Sequence, residues 1–71
     1  MALTVSEKLR IILRRTGKNM GELAEATGQS RQNLSNKMTR GNFSEKEIYA
    51  AANALRCTAE IIFTFPDGTR I

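Results

Sequence analysis

The stretch ELAEATGQSRQNLS, residues 22–35, decides the fold because it places two short helical segments on either side of a very tight turn. Ala24 precedes Gly28 by four residues and Leu34 by ten. A small residue at position 24 allows two helices to cross closely, and Gly28 accepts the positive φ that a tight turn requires. Leu34 is spaced to hold the second helix on a core. The stretch therefore predicts a helix-turn-helix unit.

Capping residues mark the helix N-termini along the chain. Thr4, Asn19 and Ser44 are each followed three residues later by a glutamate, the pattern of a capping box. Ser30 is a fourth capping candidate without an acidic partner. Apolar residues recur at helical spacing after each of these positions. The predicted helices span about residues 5–16, 20–27, 31–39 and 45–55.

The hydrophobic period changes towards the C-terminus. EIIFTF, residues 60–65, is β-branched and aromatic and predicts a strand. Residues 66–68, PDG, have the composition of a tight turn, and residues 69–71 allow only a short return strand. A lone hairpin is not independently stable, so its apolar residues need cover. Either the chain's own helices provide it, or the strand pairs with a second copy. Ile61, Phe63 and Phe65 would share one face of this strand. We favour the second copy because Ile62, on the opposite face, is also apolar.

Length and composition indicate one small domain without enzymatic activity. The chain has 71 residues, a formal charge of +4, 41% hydrophobic residues, no His and one Cys. These values exclude collagen-like, disordered and disulfide-scaffold classes. Without His and with a single Cys, the chain lacks the usual proton shuttle and metal ligands, so we expect no cofactor and no metal. We expect a cytoplasmic location, because the chain has neither a signal peptide nor an apolar run long enough for a membrane span.

The chain resembles the Cro/C1-type helix-turn-helix family of phage and bacterial repressors. The resemblance covers about residues 5–57 and is carried by residues 22–35 together with RGNFS, residues 40–44, and AANAL, residues 51–55. It implies a mostly α, lambda-repressor-like helical bundle that places its third helix in the DNA major groove, commonly as a dimer. Some members dimerise through a C-terminal strand. Met20 stands where the family often has Gln, and Lys37 where it usually has an apolar residue.

The outward residues of the third helix are suited to reading base edges. Arg pairs with guanine, Gln and Asn pair with adenine, and Ser binds several edges. The alternative is a polar, solvated helix face. The candidate base contacts are Arg31, Gln32, Asn33, Ser35 and Asn36. The candidate phosphate contacts are Asn19, Met20, Ser30, Lys37, Thr39, Arg40, Asn42 and Lys46. Positive charge is concentrated in residues 1–18, which sum to +4, and residues 29–46, which sum to +3.

These features predict a sequence-specific regulator that binds double-stranded DNA, a dimeric repressor that would be nucleoid-associated and would need no small-molecule ligand. The candidate dimerisation residues are Ile61, Ile62, Phe63 and Phe65. The alternative is a protein-interaction module, such as an antitoxin or anti-repressor, that binds its partner through the C-terminal strand. RNA binding is disfavoured because only 6% of the residues are aromatic, too few for extensive base stacking.

Overall fold

Four α-helices follow one another in the computed structural model, which describes residues 3–71. They are α1 (Val5–Thr16), α2 (Met20–Ala26), α3 (Arg31–Arg40) and α4 (Glu45–Ala54). The chain is therefore mostly helical, as the sequence predicts. Helices α2 and α4 end one residue earlier than expected, and α3 ends one residue later. Over the described residues, the longest helix is far too short to cross a membrane.

Each helix begins directly after its predicted capping residue. Complete capping boxes form at Thr4, Asn19 and Ser44, where the side chain accepts a backbone hydrogen bond and the following glutamate bonds back to the cap. The hydroxyl of Ser30 accepts from the backbone N–H of Asn33 at 3.0 Å, without an acidic partner. The caps satisfy N–H groups that the first helical turn leaves unpaired, which explains why the helices start at these positions.

The core lies where α2 and α3 meet, supported by α1 and α4. Leu23, Ala24 and Leu34 are each only 1% exposed. Met38 is also buried, and Phe43 and Cys57 are half-buried against the same cluster. The cluster of buried apolar residues comprises Leu9, Leu13, Leu23, Ala24, Leu34, Met38, Ala51 and Leu55. In the last turn of α3 it is therefore Met38 that packs in the core, and its neighbour Lys37 does not.

The turn between α2 and α3 depends on Gly28, whose φ is +71°. The backbone N–H of Gln29 donates to the carbonyl of Ala24 at 3.0 Å, which closes the end of α2. The Thr27 hydroxyl donates to the carbonyl of Leu23 at 2.8 Å. Because glycine adopts positive φ without steric cost, the chain reverses within four residues and places α3 directly against α2.

The C-terminal segment is less regular than the sequence predicts. No strand forms within residues 3–71, and the only strand-like pairing there is an antiparallel bridge between Thr64 and Arg70. Phe63 and Ile71 exchange two backbone hydrogen bonds of 2.6 and 3.0 Å, and Phe65 donates to Thr69 at 2.7 Å. A return of three residues is too short to build an extended ladder.

The chain's own helices cover this segment only in part. Ile61 and Ile62 are each 43% exposed, Phe65 46% and Phe63 67%. The radius of gyration is 13.1 Å, whereas a compact domain of this length has about 11 Å. The helical body is therefore extended by an exposed apolar segment.

Candidate nucleic-acid interface

The rotation of α3 about its axis is set by Leu34 and Met38, which are 1% and 3% exposed. At 3.6 residues per turn, the face opposite these two residues carries Gln32 and Asn36. Both are exposed, and the Gln32 amide donates to the Asn36 side-chain oxygen at 3.4 Å. Two adjacent amide groups therefore lie at the centre of the solvent-facing side of α3.

One flank of this face adjoins the start of α2. Met20, Arg31, Gln32 and Ser35 line an open depression of about 440 Å³. A Cβ placed on Gly21 would lie 4.0 Å from Cδ of Arg31, so the arginine stem lies close to the first turn of α2. Arg31 and Ser35 therefore share a rim with the half-buried Met20.

The other flank is tied to the turn. The Asn33 amide donates to Oε1 of Gln29 at 2.8 Å, and Nε2 of Gln29 donates to the Thr27 hydroxyl at 2.9 Å. Since Thr27 is itself bonded to the carbonyl of Leu23, this chain of bonds joins α3 to the end of α2. Asn33 is therefore held towards the turn, whereas Gln32 and Asn36 are bonded to each other on the outer face. Gln29 was not among the predicted site residues, and its spacing of four from Asn33 was the available signal.

Lys37 is directed towards α4. Its ammonium lies 2.5 Å from Oε2 of Glu47, and both side chains are partly buried. Oε1 of Glu47 accepts from the backbone N–H of its cap, Ser44, at 2.8 Å. The hydrogen bond from Lys37, followed by those from Ser44, lowers the pKa of Glu47 to about 2. Lys37, a predicted phosphate contact, is thus engaged within the fold by Glu47, a partner on another helix that no spacing in the sequence indicates.

The remaining predicted phosphate contacts fall into two groups. Asn19 and Ser30 use their side-chain oxygens as helix caps, accepting from the backbone N–H of Glu22 at 2.9 Å and from that of Asn33 at 3.0 Å. The second group is exposed at the end of α3, in the loop that follows and in the first turn of α4. This group comprises Thr39, Arg40, Asn42 and Lys46.

Charge on this side of the molecule is predominantly positive. No acidic residue occurs in α3, and Arg40 lies in its last turn. Lys37–Glu47 is the only ion pair within residues 3–71. The arginines of α1 therefore form no ion pair with Glu22 or Glu25 of α2; these arginines are Arg10, Arg14 and Arg15. The same range contains no group of three or more His, Cys, Asp or Glu residues that could hold a metal ion.

No protein-family model matches this chain, and no curated protein or solved structure matches it either. Its function is therefore inferred from its own residues. The most informative of these are the exposed amides of Gln32 and Asn36, whose orientation follows from the burial of Leu34 and Met38.

Proposed function

We propose that this protein is a sequence-specific regulator of the helix-turn-helix type that binds double-stranded DNA by placing α3 in the major groove. The observation that carries the proposal is the outer face of α3, where Gln32 and Asn36 stand opposite the buried Leu34 and Met38. An α-helix with its side chains is about 10–12 Å wide and fits a major groove of about 12 Å.

Base reading is assigned mainly to the centre of this face. Gln32 and Asn36 carry the paired donor and acceptor that recognise the N6 and N7 edge of adenine. Arg31, at the rim beside α2, has the fork of donors that recognises O6 and N7 of guanine. Ser35 adds a donor and acceptor on the same side. Asn33 contributes less to base recognition, because its bond to Gln29 directs its amide towards the turn and away from the centre of the outer face.

Phosphate binding is assigned to the exposed residues that surround the C-terminal end of α3. Arg40 and Lys46 supply positive charge, while Thr39 and Asn42 supply neutral donors. Contacts of this kind hold the protein in register on the duplex and carry no sequence information of their own. They also make affinity depend on salt, because each neutralised phosphate releases counterions.

The functional form in this proposal is a homodimer held together by a C-terminal hairpin. The bridge between Thr64 and Arg70 and the exposed apolar residues around it support an element that is completed by a second copy. Two copies of α3 would then enter successive major grooves about 34 Å apart. A dimer bound across a promoter would repress by occupying the site.

Selection of bound DNA from a random pool tests this function directly. The expected result is a two-fold symmetric motif whose half-sites are about one helical turn apart. Affinity for the selected site should fall steeply as salt is raised, with a slope proportional to the phosphates contacted. No enrichment of a motif, or an affinity that does not change with salt, would contradict the proposal.

A second candidate function is a protein-interaction module, such as an antitoxin or anti-repressor. It is favoured by the exposed C-terminal side chains, since Phe63 is 67% and Ile71 77% exposed. This reading expects a monomer whose apolar segment is available to a partner. Size-exclusion chromatography separates the two functions, because a homodimer that buries this segment leaves no surface for another protein.

A further inference from the structure

A groove lies between α1 and α4, outside the proposed DNA-reading face. Its volume is about 290 Å³. Val5, Leu9 and Ile12 line it from α1, since residues at these spacings share one face of a helix. Ile48 and Ala52, about one turn apart, line it from α4. Within residues 3–71, the lining includes no residue of α2 or α3, so the groove is separate from the site described above.

Residues 57–61 form the third wall of this groove. Arg56 has a φ of +58°, and the backbone N–H of Cys57 donates to the carbonyl of Ala52 at 2.8 Å, which ends α4 in a Schellman motif. A positive φ is uncommon for a residue other than glycine, so this turn is a specific feature of the chain. The three walls come from segments that are far apart in the sequence, and the groove therefore exists only in the folded protein.

Two groups of opposite charge border this apolar groove and are not paired with each other. Lys8 lines it from α1 and Glu60 lines it from the C-terminal segment, and both residues are exposed. The only ion pair within residues 3–71 joins Lys37 and Glu47, so the ammonium of Lys8 and the carboxylate of Glu60 stand apart. An apolar pocket with a few polar groups at its border is the usual form of a small-molecule site.

The volume of the groove limits the size of a ligand. A cavity of about 150 Å³ holds a benzene molecule. At about 290 Å³, the groove accommodates a group of that size together with several further atoms. This is the size of a single free amino acid with a branched or aromatic side chain, whereas a long acyl chain would exceed it.

We propose that this groove binds a free α-amino acid with an apolar side chain: Lys8 pairs with its carboxylate, Glu60 pairs with its ammonium group, and the apolar walls hold its side chain. The site goes beyond the proposed function and does not depend on it. A ligand held in this way joins Glu60 to α1 and thereby ties the start of the exposed C-terminal segment to the helical body. The sequence predicts no small-molecule ligand, because only folding brings Lys8 and Glu60 to the same groove.

Other ligand classes match the groove less completely. A fatty acid would pair with Lys8 but would leave Glu60 without a cation and bring a second carboxylate towards it. An alkylamine would leave Lys8 without an anion, and an uncharged apolar molecule would use neither residue. An amino acid carries both charges on one carbon, so they can remain at the border while the side chain enters the groove. Hydrogen bonds to charged groups are roughly twice as strong as those between neutral groups, which favours this ligand.

Isothermal titration calorimetry of the full chain with L-leucine tests the ligand class. Three matched probes each lack one feature: 4-methylpentanoate has no ammonium group, L-leucinamide has no carboxylate, and glycine has no apolar side chain. The protein should bind L-leucine saturably and each of the other probes more weakly by about tenfold or more, because each omits one contact. No binding of L-leucine up to about 10 mM, or equal binding of 4-methylpentanoate, would overturn the proposal.

Variants without one charge assign the two contacts. Lys8→Met should weaken the binding of L-leucine by about tenfold or more and leave the binding of L-leucinamide unchanged, since that probe has no carboxylate to lose. Glu60→Gln should weaken L-leucine and leave 4-methylpentanoate unchanged. Lys18→Met removes an exposed lysine that does not line the groove, so it should bind L-leucine like the wild type. A Lys8→Met variant that binds L-leucine as tightly as Lys18→Met would overturn the assignment.

Alkylation of Cys57 tests where the ligand lies. Cys57 is the only cysteine of the chain, and it lines the groove. Bound L-leucine should slow the reaction of Cys57 with iodoacetamide, with half of the protection reached at the Kd that calorimetry gives. An unchanged rate at saturating L-leucine would place the ligand elsewhere and overturn the proposal. Selection of DNA by α3 is measured separately, so failure of either experiment is distinguishable from failure of the other.

Discussion

At the residue scale, Glu47 joins two helices with a single carboxylate. One of its oxygens accepts from the backbone of Ser44, which completes the cap of α4. The other pairs with Lys37 of α3 at 2.5 Å. These bonds lower the pKa of Glu47 from 4.5 to about 2. A group whose folded-state pKa is depressed stabilises the fold above its unfolded pKa, and this contribution is lost as the pH falls through the folded pKa.

Glu47→Gln should therefore destabilise the protein at neutral pH, and the difference from the wild type should shrink as pH falls from about 4.5 to about 2. The glutamine keeps an acceptor for Ser44 but loses the charge that attracts Lys37. Thermal unfolding followed by circular dichroism across this range measures the effect. Glu60→Gln, outside the helices, is the control. A destabilisation by Glu47→Gln that stays constant with pH would contradict the assigned role.

Gln32→Ala should change base preference at one position in each half-site by about 1–3 kcal/mol. The reason is that Gln32 lies at the centre of the outer face of α3. Binding to DNA sites that differ at single positions measures this preference. Arg40→Ala is the control, because loss of a phosphate contact should weaken binding to all sites equally and lower the salt slope by about one. A uniform loss in Gln32→Ala would make Gln32 a backbone contact instead.

At the scale of the elements, α2 and α3 form the unit on which the rest of the molecule depends. Ala24 is 1% exposed where the two helices approach closely, and Gly28 turns the chain immediately afterwards. The bonds from Asn33 through Gln29 to Thr27 add a polar link to this apolar contact. The angle between the helices, and therefore the presentation of α3, depends on a small residue at position 24.

Ala24→Leu should destabilise the fold by about 1–3 kcal/mol, because a well-packed core does not accept extra methylene groups without moving a helix. Ala26→Leu is the matched control on the same helix. Ala26 is exposed, so this change should stay within about 0.5 kcal/mol. Urea unfolding of the two variants compares them. Equal effects would mean that α2 and α3 are not closely packed at Ala24.

At the scale of the whole molecule, a small helical body carries an exposed apolar segment. The molecule measures 42 × 23 × 22 Å, and residues 60–71 are exposed throughout. A small domain buries a limited share of its surface on folding, so an interface with a second copy would add substantially to its stability. Folding and association should therefore be linked.

The melting temperature should rise with protein concentration, because association stabilises the folded state by mass action. A tenfold increase is worth about 1.4 kcal/mol per dimer, which corresponds to a shift of several degrees for a domain of this size. Differential scanning calorimetry over about a hundredfold range of concentration measures this. Phe63→Ser should abolish the dependence, and Arg56→Ser on the helical body should preserve it. A wild-type melting temperature that does not vary would mean that folding does not require association.

Much of the helical architecture is predictable because its signals are local. Thr4, Asn19 and Ser44 form the capping boxes that their spacing predicts, and Gly28 has the positive φ that its turn requires. The polar partners are less predictable. Nothing adjacent in sequence pairs Lys37 with Glu47, because these residues meet only once α3 and α4 have packed.

The sequence by itself determined where the helices begin, where the chain turns and that Ala24 and Leu34 pack between the helices, because capping, glycine φ and hydrophobic spacing act within a few residues. Only the tertiary structure decided where the polar side chains of α3 are directed. Packing of Leu34 and Met38 turns Gln32 and Asn36 outwards, while Asn33 and Lys37 are engaged by Gln29 and Glu47. The tertiary structure also decided that the C-terminal apolar side chains stay largely exposed, since residues 69–71 form only a single bridge with the segment before them.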